Sequence, residues 1–519
     1  MTTKKEIEGA LWRGADTFRD TIDAANYKDF VLSILFVKYL SDTHKEMTDD
    51  LSIKYEGIRL ERQISRLSFK IDREHSFDHL YESRFNDDLG QLINVALRGI
   101  EEENIDQLNG VFRSIDFNSE AILGNRIHRN SILRELLEDF IPLDLRPSQI
   151  ETKENEIPAD VIGDAYEYMI GVFASRAGKK AGSFFTPTAV SELMARIVPL
   201  IPGERVYDPT CGSGSLLIHA AKKGGINEVS IYGQEMNGSA VSMAKMNMFI
   251  HEIRDSKIAW GDTLANPLHL DGDGNLMLFD VIVANMPFSK DKWASGFNPG
   301  GEASGNGKKF KMEASFDKHH RFDWGVPPTS KGDWAFLLHM IHSMSSNGRV
   351  AAVAPHGVLF RGAAEGRIRQ RVIENNLLDA VIGLPANLFY GTSIPACILV
   401  FRKNKEDKNV LFIDASGEGH FAKGKNQNVL EEKHIEDIVN AYKERNDIDK
   451  FAHIVNIGEV KENEYNLNIS RYIDIFEEEE PVDIDVVQKN IEDIKNELAQ
   501  VESKMQKYLK ELGLSEAIK

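Results

Sequence analysis

Asn285-Met286-Pro287-Phe288, at the end of the apolar run Phe279–Ala284, brings an amide, a rigid turn and an aromatic ring to one point. That combination suits holding a planar base by its amino group. The Asn285 side-chain oxygen and the Met286 carbonyl can each accept one hydrogen of an NH2 group. Held in this way, the nitrogen lone pair leaves conjugation and is free to attack, while Phe288 can stack on the ring. Upstream, the turn DPTCGSG (208–214) follows another apolar strand. Gly212 and Gly214 allow close backbone approach to a ligand, and Asp208 can accept hydrogen bonds there. Gly233-Gln234-Glu235 ends the next strand with a carboxylate suited to ribose hydroxyls. Gly261-Asp262-Thr263 ends a third, where Asp262 could read an adenine amino group. The set implies a nucleotide-like cofactor and methyl transfer to an exocyclic amino group. A phosphate-cradling Gly-x4-Gly-Lys-Ser/Thr loop is missing, which disfavours ATP hydrolysis.

These residues need strands to carry them. From about 157 to 402, short apolar strands alternate with helices, the pattern of an α/β sheet whose ligands collect at the strands' carboxyl ends. The strands expected are 205–207, 229–232, 258–260, 279–284, 349–354, 380–382 and 396–401, with helices over 188–198, 239–250 and 333–345. Residues 1 to about 150 read as a helical scaffold, with a buried helix at 30–40 and no proline before Pro142. Residues 289–332 form a long irregular segment rich in Gly, Lys, Phe and His. At the other end, Ile484, Val487, Ile491, Ile494, Leu498, Val501, Met505, Tyr508 and Leu512 alternate spacings of three and four. That is a heptad seam, and a helix bearing it needs a partner. It could fold back on the N-terminal helices; a different subunit is the expected partner. The domains expected are therefore 1–155 helical, 156–404 catalytic, 405–481 a mixed extension and 482–519 a contact helix.

Composition narrows the classes. A 519-residue chain with 42% hydrophobic and 28% charged residues is long enough for two or three soluble domains. No apolar run approaches a membrane span, the N-terminus lacks a signal-peptide core, and a cytoplasmic location is expected. Cys211 and Cys397 are too few for a disulfide framework or zinc site, and neither lies in the Pro-Cys setting of a cytosine-C5 enzyme. Both read as small packing residues, and no metal is expected. The net charge of −19 is adverse for a chain acting on DNA, so a local basic groove or a basic partner is needed. Lys308, Lys309, Lys311 and Arg321, interleaved with Phe310 and Phe322, could clamp DNA near a flipped base.

Taken in order, Gly182–Thr188, DPTCGSG, Gly233–Glu235, Gly261–Thr263 and Asn285–Phe288 resemble the motifs of adenine-N6 DNA methyltransferases. The helical N-terminus and Asp160–Tyr168 extend the resemblance, in particular to the modification subunit of type I restriction–modification systems. That resemblance implies a Rossmann-like sheet dependent on S-adenosyl-L-methionine, flanked by an N-terminal helical domain and a C-terminal helix. It implies cofactor contacts at Ser183, Phe184, Phe185, Thr186, Pro187, Thr188, Asp208, Gly212, Ser213, Gly214, Ser215, Glu235 and Asp262. Asn285, Met286, Pro287 and Phe288 would be catalytic, with Phe288, Phe389 and Tyr390 around the flipped base. The implied partners are double-stranded DNA, a specificity subunit, a second copy of this chain and a restriction subunit. Met286 stands where the family usually carries proline; it gives up a fixed φ but keeps the accepting carbonyl. Two other readings use the same residues: a protein-glutamine N5 methyltransferase, and a cofactor-binding subunit without catalysis.

Overall fold

The computed structural model of the protein describes residues 1–19, 22–154, 156–176, 185–297, 311–474 and 484–512. It divides into two units, Met1–Ile473 and Asp474–Lys519. In the first, the N-terminal region is helical: α1 (Lys4–Arg19), α2 (Ala24–Lys54), α3 (Gly57–Ile64), α4 (Phe77–Glu82), α5 (Leu89–Glu103), α6 (Ile105–Leu108), α7 (Glu120–Leu123), α8 (Arg126–Phe140) and α9 (Pro158–Arg176). The apolar stretch Phe30–Leu40 is buried along its length inside α2, as its density of large side chains requires.

An α/β region follows, with α10 (Thr188–Ile197), β1 (Arg205–Asp208), α11 (Ser215–Gly224), β2 (Ser230–Glu235), α12 (Gly238–Ile250), β3 (Lys257–Trp260) and β4 (Phe279–Asn285). Then come α13 (Asp333–His342), β5 (Met344–Pro355), α14 (Gly357–Phe360), α15 (Ala363–Glu374), β6 (Leu378–Gly383), β7 (Ala396–Arg402) and β8 (Val410–Asp414). A small ribbon of β9 (Ala422–Lys423) and β10 (Asn428–Val429), α16 (Glu432–Glu444), β11 (Ala452–Val455) and α17 (Ile457–Glu462) complete the unit.

The main sheet runs β11-β8-β6-β7-β5-β4-β1-β2-β3. β1 through β5 pair in parallel, whereas β7 is antiparallel to both β5 and β6. The chain steps outward from β1 to β3 and then returns to the other side of β1 with β4. β1 and β4 therefore flank the switch point of the sheet, with Val206 opposite Val281 and Tyr207 opposite Ile282. β4 shows why this part reads as a continuous apolar run: Val281 and Val283 enter the core on one face, Ile282 and Ala284 the core on the other.

All seven expected strands are present, several of them longer than expected. Two more, β8 and β11, come from the segment read as a mixed extension: β8 joins β6 in parallel and β11 closes that edge antiparallel. Each is only four or five residues long and sits among charged residues, so neither carries a periodic signal. α12 is apolar nearly all round because it serves two cores. Met243, Met246, Phe249 and Ile250 pack with the N-terminal helices, while Val241, Ala244 and Met248 pack against the sheet.

The second unit is described through α18 (Ile484–Glu511). Val487, Ile491, Ile494, Leu498, Val501, Met505, Tyr508 and Leu512 are exposed along it. No helix among the described residues is long and apolar enough to cross a membrane.

Candidate active site at the β1/β4 switch point

Three strand ends are tied into one rim. At the exit of β1, Asp208 Oδ1 accepts the Thr210 N–H at 2.8 Å, while its buried Oδ2 has no partner. Burial pushes the Asp208 carboxyl up to about 8, and the neighbouring Glu235 charge adds to the rise. Gly212 and Gly214 have φ of 53° and 82°, and a Cβ on Gly214 would lie 2.9 Å from Met248 Cε. Ser215 begins α11, buried against Ser191 of α10. At the end of β2, Glu235 accepts N–H groups from Gly212 at 3.1 Å and Asn237 at 2.8 Å. After β3, Asp262 caps the backbone of Leu264 and Ala265, and the Thr263 hydroxyl donates to the Pro209 carbonyl at 2.6 Å.

This rim fits a nucleoside-type cofactor carrying positive charge. The buried Asp208 carboxyl keeps one oxygen without a partner, and a cationic group beside it would favour the ionised form that burial disfavours. One residue escaped the sequence reading: Met236, directly after Glu235, is 60% exposed beside Trp260, whose indole N–H donates to the Met236 carbonyl at 3.0 Å. Together they offer an apolar surface at the rim. The signal was an apolar residue following a strand-end acid.

Beneath the rim, the helical region holds the cofactor-type turn from behind. The Asn247 side-chain amide donates to the Ser213 carbonyl and to Glu167 of α9, both at 3.1 Å. His219 lies between Glu167 at 3.5 Å and Glu192 at 3.6 Å. Burial opposes the His219 charge, but the two carboxylates outweigh it and push the ring up to about 9. Burial likewise opposes the Glu167 charge, yet His219 draws that carboxyl down to about 2. Folded His219 thus binds its proton more tightly than an ordinary histidine near 6.5. Its stabilisation is fully present below that pH and is lost as pH rises through about 9. A His219→Gln variant should therefore lose less unfolding free energy from neutral to alkaline pH than the parent, the difference being on the order of 3 kcal/mol. Equal slopes would remove His219 from this role.

The second half of the site leaves β4. Asn285 Nδ2 donates to Thr186 Oγ1 at 3.1 Å. Met286 is 1% exposed, its side chain in the core of the sheet. Phe288 is half-buried and meets Phe389 edge-on, the ring centroids 5.9 Å apart. Ser289 follows with φ of 52°, and its N–H donates to the buried Asp333 carboxylate at 2.6 Å. Arg361 pairs with Asp333 at 2.7 Å and with Glu365 at 3.2 Å, so a charged cluster anchors the exit of the turn. Tyr390 packs on Phe185 at 5.7 Å. Phe389 is buried behind Phe288, which leaves Phe288 and Tyr390 as the partly open rings. A cavity of about 980 Å³ borders Glu167, Arg176, Phe185, Thr188, Phe389 and Tyr390. Pro187 and Thr188 start α10 next to it.

Ser183, Phe184, Lys308 and Lys309 lie outside the described residues. Lys311 is exposed. Arg321 is not available to DNA: it is 1% exposed and wholly engaged within the protein. Its guanidinium donates to Asp317, to the Thr263 and Leu264 carbonyls and to His339 Nδ1. Because Arg321 only donates, His339 Nδ1 accepts, and Nε2–H is left to donate to the Tyr207 hydroxyl at 3.1 Å. Burial, reinforced by the Arg321 charge, holds His339 well below the usual histidine range. A cation among aromatics reads as surface, but Asp317 four residues earlier and apolar Phe322 were the signs of a buried pair.

Residues 158–481 match the family described as N-6 DNA methylase, and residues 7–140 match the HsdM N-terminal domain. The type I restriction enzyme MpnII methylase subunit of Mycoplasma pneumoniae is 32% identical over 549 residues, covering 98% of this chain and 96% of that protein. The MjaVIII methylase subunit of Methanocaldococcus jannaschii is 31% identical, covering 98% and 85% respectively. Among solved structures, the type I restriction-modification methyltransferase subunit of Streptococcus thermophilus superposes with a TM-score of 0.77 at 37% identity, covering 91% of this chain and all of that one. The chain belongs to the N-6 DNA methylase family, as a DNA methyltransferase of the type I restriction–modification methylase subunits.

Proposed function

We propose that this chain transfers a methyl group from S-adenosyl-L-methionine to adenine N6 at specific sites in double-stranded DNA, so protecting those sites from cleavage. The observation that carries this reading is the meeting of two half-sites on adjacent strands. The Asp208 turn leaves β1 and Asn285 leaves β4, with Asn285 Nδ2 occupied by Thr186 and Oδ1 left to accept. Bound at the β1–β3 rim, S-adenosyl-L-methionine would supply an electrophilic sulfonium methyl group. Asp208, with the turn Gly212-Ser213-Gly214-Ser215, receives the cofactor's charged end. Glu235 orients its ribose, and Asp262 its base beside Met236. Asn285 Oδ1 and the Met286 carbonyl accept the two N6 hydrogens, Pro287 fixes the turn, and Phe288 stacks on the adenine. The adenine must be flipped out of its pair to reach them; Tyr390 is the second open ring near that path. Positioning and lone-pair release supply the rate enhancement.

The reading extends to partners. The exposed apolar seam of α18 suits a helix of a specificity subunit, which would bring the base-reading surface and a second copy of this chain. A restriction subunit would join this cytoplasmic assembly for cleavage. The basic stretch at Lys308, Lys309 and Lys311 is assigned to DNA phosphates.

The test is methyl transfer from labelled cofactor to DNA by this chain with its co-encoded specificity subunit, followed by digestion to nucleosides. Label in N6-methyladenosine is the expected result. Label on a protein glutamine would favour an N5 methyltransferase, and no transfer at all a non-catalytic subunit. Deleting residues 482–519 should abolish co-purification with the specificity subunit while leaving the first unit folded. Retained assembly would end the role given to α18.

A further inference from the structure

We propose that Thr186 is a positioning residue for Asn285, holding the catalytic amide rather than serving the cofactor; this rests on the function proposed above. Thr186 is almost fully buried, and its hydroxyl oxygen accepts from Asn285 Nδ2 at 3.1 Å. Both of its neighbours are fixed. Phe185 is buried in the core of the helical region, so close to Gly171 that a Cβ there would lie 3.0 Å from the ring. Pro187 immediately precedes α10, its carbonyl accepting from Val190 at 2.8 Å and from Ser191 at 3.1 Å. The Thr186 hydroxyl is therefore presented from a backbone that cannot swing away.

Asn285 needs this support. The last torsion of an asparagine side chain is broad and two-fold, and its oxygen and nitrogen ends have nearly the same shape. Only the oxygen end can accept a hydrogen from an amino group; the NH2 end would set donor against donor. The Thr186 hydroxyl fixes the plane of the Asn285 amide, and with Nδ2 donating to it Oδ1 is the end turned to the substrate. The helical region, through Phe185, thereby sets the geometry of a residue on β4, 99 positions further along the chain.

The experiment compares Thr186→Val and Thr186→Ser with the parent in the assembled enzyme. Cofactor affinity is measured by calorimetry, and kcat and KM for DNA by methyl transfer. The valine variant should lose roughly 10- to 100-fold in kcat, the scale of a misplaced catalytic group. Its cofactor Kd and its KM for DNA should stay within about threefold of the parent's, and the serine variant should recover most of the rate. A valine variant with parental kcat overturns the proposal. So does a loss that resides in cofactor affinity and disappears at saturation, or a serine variant as slow as the valine. A parent that transfers no methyl group defeats the underlying function instead, which separates the two failures.

Discussion

Replacing Asn285 with alanine is expected to lower kcat by about 10³-fold or more while cofactor affinity stays within a few-fold of the parent's. The side chain is half-buried at the carboxyl end of β4, and the polar contact recorded for it is with the Thr186 hydroxyl. Removing it takes a partner from the buried Thr186 hydroxyl, a stability cost of about 1–3 kcal/mol. The chemical cost is larger. Removing one preorganised hydrogen-bonding group from an active site typically costs about 10²–10³ in kcat. Here the same group both holds the amino nitrogen in place and draws its lone pair out of the ring, and the loss of orientation adds to that figure. The measurement is single-turnover methyl transfer alongside calorimetric cofactor binding. An alanine variant within tenfold of the parent's rate would show that the Met286 carbonyl and the stacking ring suffice.

Arg321→Met is expected to cost about 3–5 kcal/mol of stability, the range for breaking a buried ion pair by removing one partner. Asp317 and Arg321 are each 1% exposed at the side chain. Without the guanidinium, Asp317 becomes an unpaired buried charge, and the Thr263 and Leu264 carbonyls and His339 Nδ1 lose their donor. Lysine cannot rescue this, because a single ammonium cannot reach four separate acceptors from one planar fork. Asp317→Leu combined with Arg321→Met should be less destabilising than Arg321→Met alone, since no charge is then stranded. Chemical denaturation of the three variants decides the matter. A variant with parental stability and weakened DNA binding would restore Arg321 to the surface role that its aromatic neighbours suggest.

The contrast between these two residues shows what a sequence can convey about such a site. Asn285 and Glu235 each end a strand, and Asp262 lies two residues beyond one, so their convergence follows from how parallel sheets are built. Arg321 follows no such rule, because apart from Asp317 four residues earlier its partners come from β3's exit and from α13, and only folding brings these together. Met286 is an intermediate case. Read as sequence, it is a proline that is missing; in the fold its side chain fills the core, so a proline there would gain a fixed φ and leave a void. The Glu167–His219–Glu192 cluster was invisible for the same reason as Arg321: three separate helices supply it. β8 and β11 were hidden by their brevity together with the charged residues around them.

The double allegiance of α12 also governs how the molecule is made. Phe36 and Phe69 of the N-terminal region both pack edge-on against Phe249, at 5.6 and 5.5 Å. During synthesis those rings emerge about 200 residues before their partner, a wait of roughly 10–40 s at 5–20 residues per second. Throughout that interval the nascent helices present an uncovered apolar face, and the N-terminal half cannot reach its final packing until α12 has left the ribosome.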